Sequence, residues 1–443
     1  MMKPRDRESI LVDSTFSSGT VRSRITVSKD LRKYFKHFEF WSRYDAEIFA
    51  NSSILNIPVL SIVLPLAWVT GADVHVRELD RGFAKSAEAV HRDYKRMYPK
   101  LPFRTKLVAH RLVDNKYESK GDVALLFSGG LDSTYSLFSN IARNPRLVMI
   151  FGTWDIPLSN APLQERLEKE YSAFAKREKL TLNIIRTNAM ELLNLQRLDH
   201  RFGRLQEKIL RCYWEGIGYM LCHIGQAAPL SIGRFDRLLV ATGAIPVPQY
   251  PYPPDWIGRS SDDRIGWANI DVECHGDMFR HEKVFLLKEF LLAHRSKLRV
   301  CLNTGWSREI SNCSKCHKCL LTMISLVAAG IDPVTCGFRM DQSTFSRTLR
   351  MICNTDAKFM ALLWKPLQQA IPDVITLNDC KARRFFEWFK TTDLDSIGRR
   401  DRSIISNLYH KSPYLIARTW SWYRTRRLAR YEEVTSEMDS NRG

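Results

Sequence analysis

Two groups of residues in this 443-residue chain have the types and spacing to do chemistry. The first is Ser128-Gly129-Gly130-Leu131-Asp132-Ser133, which directly follows the apolar run Val123 to Phe127. Glycine pairs weaken strands and helices alike, so a bare backbone at this point needs another reason. A strand that ends in Ser-Gly-Gly and opens a helix offers consecutive amide N–H groups to an anion. The positive end of the helix dipole adds to them. Ser128 and Ser133 supply hydroxyls. Asp132 stands at the helix start, where a carboxylate can cap the helix or hold a magnesium ion that bridges phosphates. The expected ligand is therefore a phosphate group.

The second group is Cys301, Cys313, Cys316 and Cys319. Thiolates at x2 spacing bind one tetrahedral ion in a tight knuckle, and a fourth sulfur can reach in from an earlier loop. A closed structural zinc site is the leading expectation, with an iron–sulfur cluster or a redox site as rivals. His317 lies between two of the ligands and reads as a neutral surface histidine. Cys212, Cys222, Cys274, Cys336, Cys353 and Cys380 show no spacing pattern and read as small buried apolar residues.

The elements that must position the first group can also be read. Continuous apolar strands are expected at 123–127, 146–152, 180–188 and 237–245. Helices are expected between them at Asp132 to Ala142, Leu163 to Glu178 and Arg204 to His223. This alternation predicts an α/β fold with a parallel sheet covered on both faces. Ligands of such sheets bind beyond the carboxyl ends of the strands. That rule makes Thr153, Thr242 and Gly243 candidate neighbours of a nucleotide. His275 and Asp277 are either a polar substrate contact or a satisfied loop pair.

Three regions differ in texture: an N-terminal α+β accessory region at 1–118, the alternating region at 119–330, and a basic helical region at 331–443. Ile54 to Val69 reads as a buried strand running into a helix, because it is short for a membrane span and carries Asn56, Pro58, Ser61 and Pro65. The charged start lacks an apolar core of the signal-peptide kind, and the scattered cysteines suit a reducing compartment, so a cytoplasmic location is expected. The formal net charge of +19 suits polyanionic partners. Arg418 to Tyr431 interleaves arginine with Trp420, Trp422 and Tyr423, a pattern open to packing on the core, a nucleic acid or protein partner, or an anionic membrane.

Ser-Gly-Gly-Leu-Asp-Ser after an apolar strand resembles the PP-loop of the ATP pyrophosphatase superfamily, also described as adenine nucleotide alpha-hydrolase-like. The resemblance implies a Rossmann-like sheet and cleavage of ATP to AMP and pyrophosphate, with AMP activating a substrate oxygen. Ser128, Gly129, Gly130, Leu131, Asp132 and Ser133 would hold the pyrophosphate portion with Mg2+. The loop followed by the cysteine set is similar to the 7-cyano-7-deazaguanine synthase family of the queuosine pathway. Those zinc-containing ligases turn a 7-carboxy-7-deazaguanine into a nitrile with ATP and ammonia. In that family a lysine opening a helix faces the phosphates. Lys283 matches it, with Arg280 one turn earlier, although a solvated helix face is the bland alternative for both.

The resemblance covers residues 120 to 330. It fails at the family's substrate loop, where this chain has the segment Gly243 to Asp263, and at both flanking regions. Long relatives of this type occur in anti-phage operons, which makes a defence role an expectation drawn from architecture. Two rival functions stand beside the ligase: an RNA-modifying enzyme of the tRNA-thiolation kind, using Cys212, Cys222 or Cys274, and a non-catalytic nucleotide sensor.

Overall fold

The computed structural model describes residues 8–118, 121–205, 213–243, 263–294, 296–301, 312–355, 360–372 and 380–397. Most of the segment Gly243 to Asp263, the aromatic–arginine stretch 418–431 and Cys212 lie outside the described residues.

Among the described residues, eleven strands form one sheet: β1 (Ser9–Ser17), β2 (Thr20–Val27), β3 (Glu39–Tyr44), β4 (Asp73–Asp80), β5 (Leu107–Val113), β6 (Val123–Leu126), β7 (Arg146–Phe151), β8 (Leu182–Thr187), β9 (Arg237–Ala241), β10 (Gly266–Trp267) and β11 (Ile270–His275). Their order is β10-β11-β9-β6-β7-β8-β3-β2-β1-β4-β5. The four strands expected from apolar runs, β6 to β9, lie together and pair in parallel. β11 extends them in parallel beyond β9. β3, β2 and β1 then continue the sheet by antiparallel pairing from β8, and β4 and β5 follow in parallel.

The chain runs from β6 outward through β7 and β8, then returns to place β9 on the other side of β6. Between β6 and β9 the strand order reverses. Such a reversal splays the connecting loops apart and opens a crevice at the carboxyl ends. The Gly-Gly loop leaves β6 at this point.

The helices that pack around the sheet and frame this crevice include α1 (Ile57–Thr70), α2 (Arg81–Met97), α3 (Leu131–Asn140), α4 (Ala161–Arg177), α5 (Tyr219–Gln226), α6 (Arg280–Leu286), α7 (His317–Ala328), α8 (Thr344–Cys353) and α9 (Cys380–Thr391). α3 ends in a 3-10 turn at Ile141–Arg143, and α4 begins two residues earlier than expected, with Asn160 accepting from the Leu163 amide. Of the expected helix Arg204 to His223, the described residues show helix up to Leu205, a single π turn at Trp214–Gly218, and then α5.

The strand expected within Ile54 to Val69 is absent. Ser52–Leu55 and α1 are both helical, and Asn56 between them keeps right-handed helical angles. Every residue of α1 is buried. A helix enclosed on all sides shows no polar stripe, so its sequence imitates a buried strand. Gly225 lets α5 approach α1 closely, since a Cβ there would lie 2.4 Å from that of Ser61. No described helix is long and apolar enough to cross a membrane. Past residue 331, α8 and α9 pack an apolar cluster against Leu321 and Ile324 of α7.

Candidate functional site

The sheet delivers the loop by a short route. Phe127 donates its amide to the Val148 carbonyl at 2.9 Å, and the chain then leaves the ladder at Ser128. Gly129 takes φ +71°, and a Cβ there would lie 1.6 Å from the Tyr171 hydroxyl of α4. Both the angle and the space require glycine. Gly130 is extended and caps α3. Ser133, one turn into α3, closes the loop on itself. Its Oγ lies 3.3 Å from both the amide and the hydroxyl of Ser128, and it donates to the Gly130 carbonyl at 3.2 Å. Ser128 Oγ in turn accepts from the Gly130 amide at 3.3 Å.

Asp132, in the first turn of α3, meets two cations from α6. Lys283 Nζ donates to Asp132 Oδ1 at 2.6 Å, and Arg280 Nη2 donates to Oδ2 at 3.3 Å. The spacing of Arg280 and Lys283 places both on one side of α6. The Lys283 side chain is 1% exposed and also donates to the Thr242 carbonyl at 2.6 Å, so it is not a solvated face. Burial works against the Asp132 charge, but Arg280 and Lys283 overcome it and hold the carboxyl below its usual range. Burial lowers Lys283, and Asp132 restores part of the loss.

Ser128, Gly130, Asp132, Ser133 and Arg280 line a cleft of about 830 Å³, while the buried Lys283 reaches it through Asp132. The carboxyl ends of three parallel strands contribute to it: Ser128 after β6, Thr153 after β7, and Thr242 and Gly243 after β9. Thr153 is buried. Thr242 is fixed at both ends: its amide donates to the His275 carbonyl at 3.0 Å, and its hydroxyl donates to Asp277 Oδ1 at 3.1 Å. His275 turns away to Ser136 Oγ, 3.2 Å from Nδ1, and stacks on Tyr135. It is a satisfied residue at the end of β11, and Asp277 reaches the site through Thr242.

The structure adds residues that the sequence alone did not single out. Arg299 lies below the loop, its amide donating to the Gly129 carbonyl at 2.8 Å and its Nε to the Ser128 carbonyl at 3.1 Å. Its Nη1 donates to the Asp155 carbonyl at 3.0 Å. Trp154, Asp155, Trp214, Tyr219 and His223 form a largely aromatic wall of the cleft. Tyr219 donates to Asp155 Oδ2 at 3.2 Å. The Asp155 charge, then burial, raises Tyr219 well above its ordinary value, so it remains a donor. Burial keeps His223 neutral. Asp155 follows Thr153 at a strand end, so the strand-end rule could have reached it. Arg299 carried no such signal.

The four cysteines converge. Their sulfurs all lie within 4.8 Å of one another. Cys301 and Cys316 are 4.0 Å apart, and Cys313 and Cys319 are 3.9 Å apart. Zinc–sulfur bonds of about 2.3 Å in a tetrahedron place sulfurs about 3.8 Å apart, so these thiols fit such an ion. The Lys315 and Cys316 amides turn toward Cys313 Sγ, as a knuckle requires. Hydrogen bonding to Cys313 draws Cys301 down to about 7, and hydrogen bonding to Cys301 draws Cys316 to the same value. Cys319 is pushed up by the other three. Protons shared in this way are those a bound cation displaces.

His317 departs from expectation. It is half-buried, accepts from Trp364 Nε1 at 3.1 Å, and burial lowers it to about 4. It is neutral but not a surface residue. Among the unpatterned cysteines, Cys222 and Cys336 are buried, Cys274 and Cys353 are half-buried, and Cys380 is exposed rather than buried. Burial pushes the Cys222 thiol up to about 12, away from the thiolate form.

Comparison with family models, with curated proteins and with solved structures found no match to this chain.

Proposed function

We propose that the cleft binds ATP and forms an acyl adenylate, making the protein an AMP-forming ligase that joins a carboxylate to ammonia or an amine. The relationship that best supports this reading is the holding of Lys283 and Arg280 on Asp132, which follows the Gly129–Gly130 turn in the first turn of α3. Amides and a helix N-terminus on one wall suit the β- and γ-phosphates. The Arg280 guanidinium on the other, with the buried Lys283 ammonium behind Asp132, suits the charge that develops on the α-phosphate.

In this scheme the acceptor carboxylate oxygen attacks the α-phosphorus, and pyrophosphate leaves from the Ser128–Ser133 loop. The amine then attacks the activated carbonyl, and AMP departs with the C–O bond electrons. Lys283 and Arg280 stabilise the α-phosphate oxygens in both steps, while the loop orients the leaving group. Magnesium, when bound, would neutralise phosphate charge. Each Asp132 oxygen already faces a cation, so magnesium there would displace Arg280, the longer of the two contacts.

Cys301, Cys313, Cys316 and Cys319 would hold zinc as a structural ion. The role follows from position: Arg299 and Cys301 belong to one segment, and Arg299 carries the phosphate loop. The acceptor by resemblance is 7-carboxy-7-deazaguanine or a related deazapurine, acting within a defence operon.

The test is direct. Purified protein is incubated with ATP, magnesium and ammonia over a panel of carboxylates, the deazapurine among them, and AMP and pyrophosphate are measured. Stoichiometric AMP with one carboxylate supports the ligase. Release that requires tRNA and a sulfur donor points to RNA modification instead. Binding of ATP without any release under every condition points to a sensor.

A further inference from the structure

β5 forms one margin of the sheet, paired in parallel with β4. The Val74 amide donates to the Lys106 carbonyl at 2.9 Å, and Val74 lies beside Leu107. In a parallel ladder, alternate residues turn both backbone groups to the same side. Lys106, Val108, His110 and Leu112 therefore address β4, while Leu107, Ala109, Arg111 and Val113 direct N–H and C=O outward. No described residue pairs with these outward groups. Natural edges are blunted by proline, bulges or free charges. β5 has no proline and no bulge, and its fixed charge, Arg111, is tied to Glu78. Val108 and Leu112 are 38% and 39% exposed.

The segment from Lys106 to Asp114 matches itself in reverse about His110. Laid antiparallel on a second copy with His110 at the centre, Leu107 meets Val113, Val108 meets Leu112, and Ala109 meets Arg111. Lys106 meets Asp114, and both are exposed. In this register the outward-facing residues oppose one another as hydrogen-bonded pairs. Val108 and Leu112 fall in the closer, non-bonded positions where side chains pack best. A one-residue slip sets outward groups against inward ones. A two-residue slip sets Arg111 against its own copy, or Lys106 against Leu112.

We propose that β5 is the seam of a two-fold homodimer in which two sheets join into one across this strand. The surface is isologous, with the same strand on both sides, as a closed pair requires. The inference is independent of the nucleotide reading.

Sedimentation or light scattering of the full-length protein at tens of micromolar tests it. The expected mass is twice the 51.4 kDa of the chain. A109P removes an outward N–H without touching a bond to β4, and L112K sets ammonium groups into the seam. Both are expected to run as monomers with unchanged circular dichroism. H110C is expected to oxidise to a covalent dimer whose linked peptides join position 110 to itself. This last readout decides the matter even if A109P fails to fold. A monomeric wild-type protein, a dimer that survives L112K, or linkage of H110C only to other positions would overturn the proposal.

Discussion

Lys283 Nζ stands 2.6 Å from Asp132 Oδ1, the counter-ion that favours its charged form where it lies buried behind the cleft lining. Removing either member is not equivalent. D132A leaves a buried lysine without its counter-ion, and breaking such a pair from one side costs about 3–5 kcal/mol when fully buried. Asp132 is partly exposed, so the loss falls below that range. K283M leaves an aspartate still held by Arg280 and lowers stability less. Both are expected to lower AMP release by about 100-fold or more. Denaturant melts beside turnover assays check the contrast. Equal destabilisation by the two would remove the assigned asymmetry.

The same pair sets a pH dependence. Burial draws Lys283 below its ordinary value, so between that lowered value and about 10.4 the unfolded chain binds the extra proton. Stability therefore rises with pH across this window. If the proposed function holds, phosphate binding needs the ammonium, and nucleotide affinity is expected to fall as pH rises through the same window. K283R is expected to move the alkaline limb of the affinity profile to higher pH, as titration by calorimetry would show. An identical limb in K283R would mean that another group titrates.

Arg299 holds the Ser128–Gly129 turn, through its own amide and its guanidinium. R299A is expected to weaken ATP binding roughly 10-fold to 100-fold while metal content stays that of the wild type, because a position loosened near the chemistry is costly. R299K restores the charge but not the fork, and is expected to recover only part of the affinity. Loss of zinc in R299A would show that the arginine holds the knuckle rather than the loop.

Gly129 has no room for a side chain beside Tyr171. G129A is expected to abolish nucleotide binding and to lower stability by about 1–3 kcal/mol, the scale of a strained backbone position. Adding Y171F removes the clashing hydroxyl and is expected to return part of the stability. No return would place the cost in the backbone angle and in the Tyr171 ring, whose Cζ would lie 2.3 Å from the new Cβ.

The cysteine site is expected to carry one zinc per chain, measured by elemental analysis. C301S and C316S are each expected to lose the metal and to open 296–355 to proteolysis, since such a site supplies folding energy. Intact folding of both variants without metal would show that the knuckle stands alone.

The readable part of this protein was its parallel core. Apolar runs at β6 to β9 have no competing period, and Ser128 to Ser133 mark the point where β6 turns into α3. The cysteines were legible because their spacing is itself the geometry. Less legible were α1, where burial on every side erased the helical stripe, and Arg299, whose role arises from a contact with Gly129 far away in the chain. The aromatic wall of Trp154, Trp214 and Tyr219 was hidden for a similar reason. It is assembled from a strand end and a helix that meet only in the fold.

The most direct measurement is a crystal structure of the protein soaked with a non-hydrolysable ATP analogue and magnesium. The triphosphate is expected on the Gly129 and Gly130 amides, with its α-phosphate turned toward Lys283 and Arg280. A triphosphate bound elsewhere, or none at millimolar analogue, would contradict the assignment of this cleft to ATP.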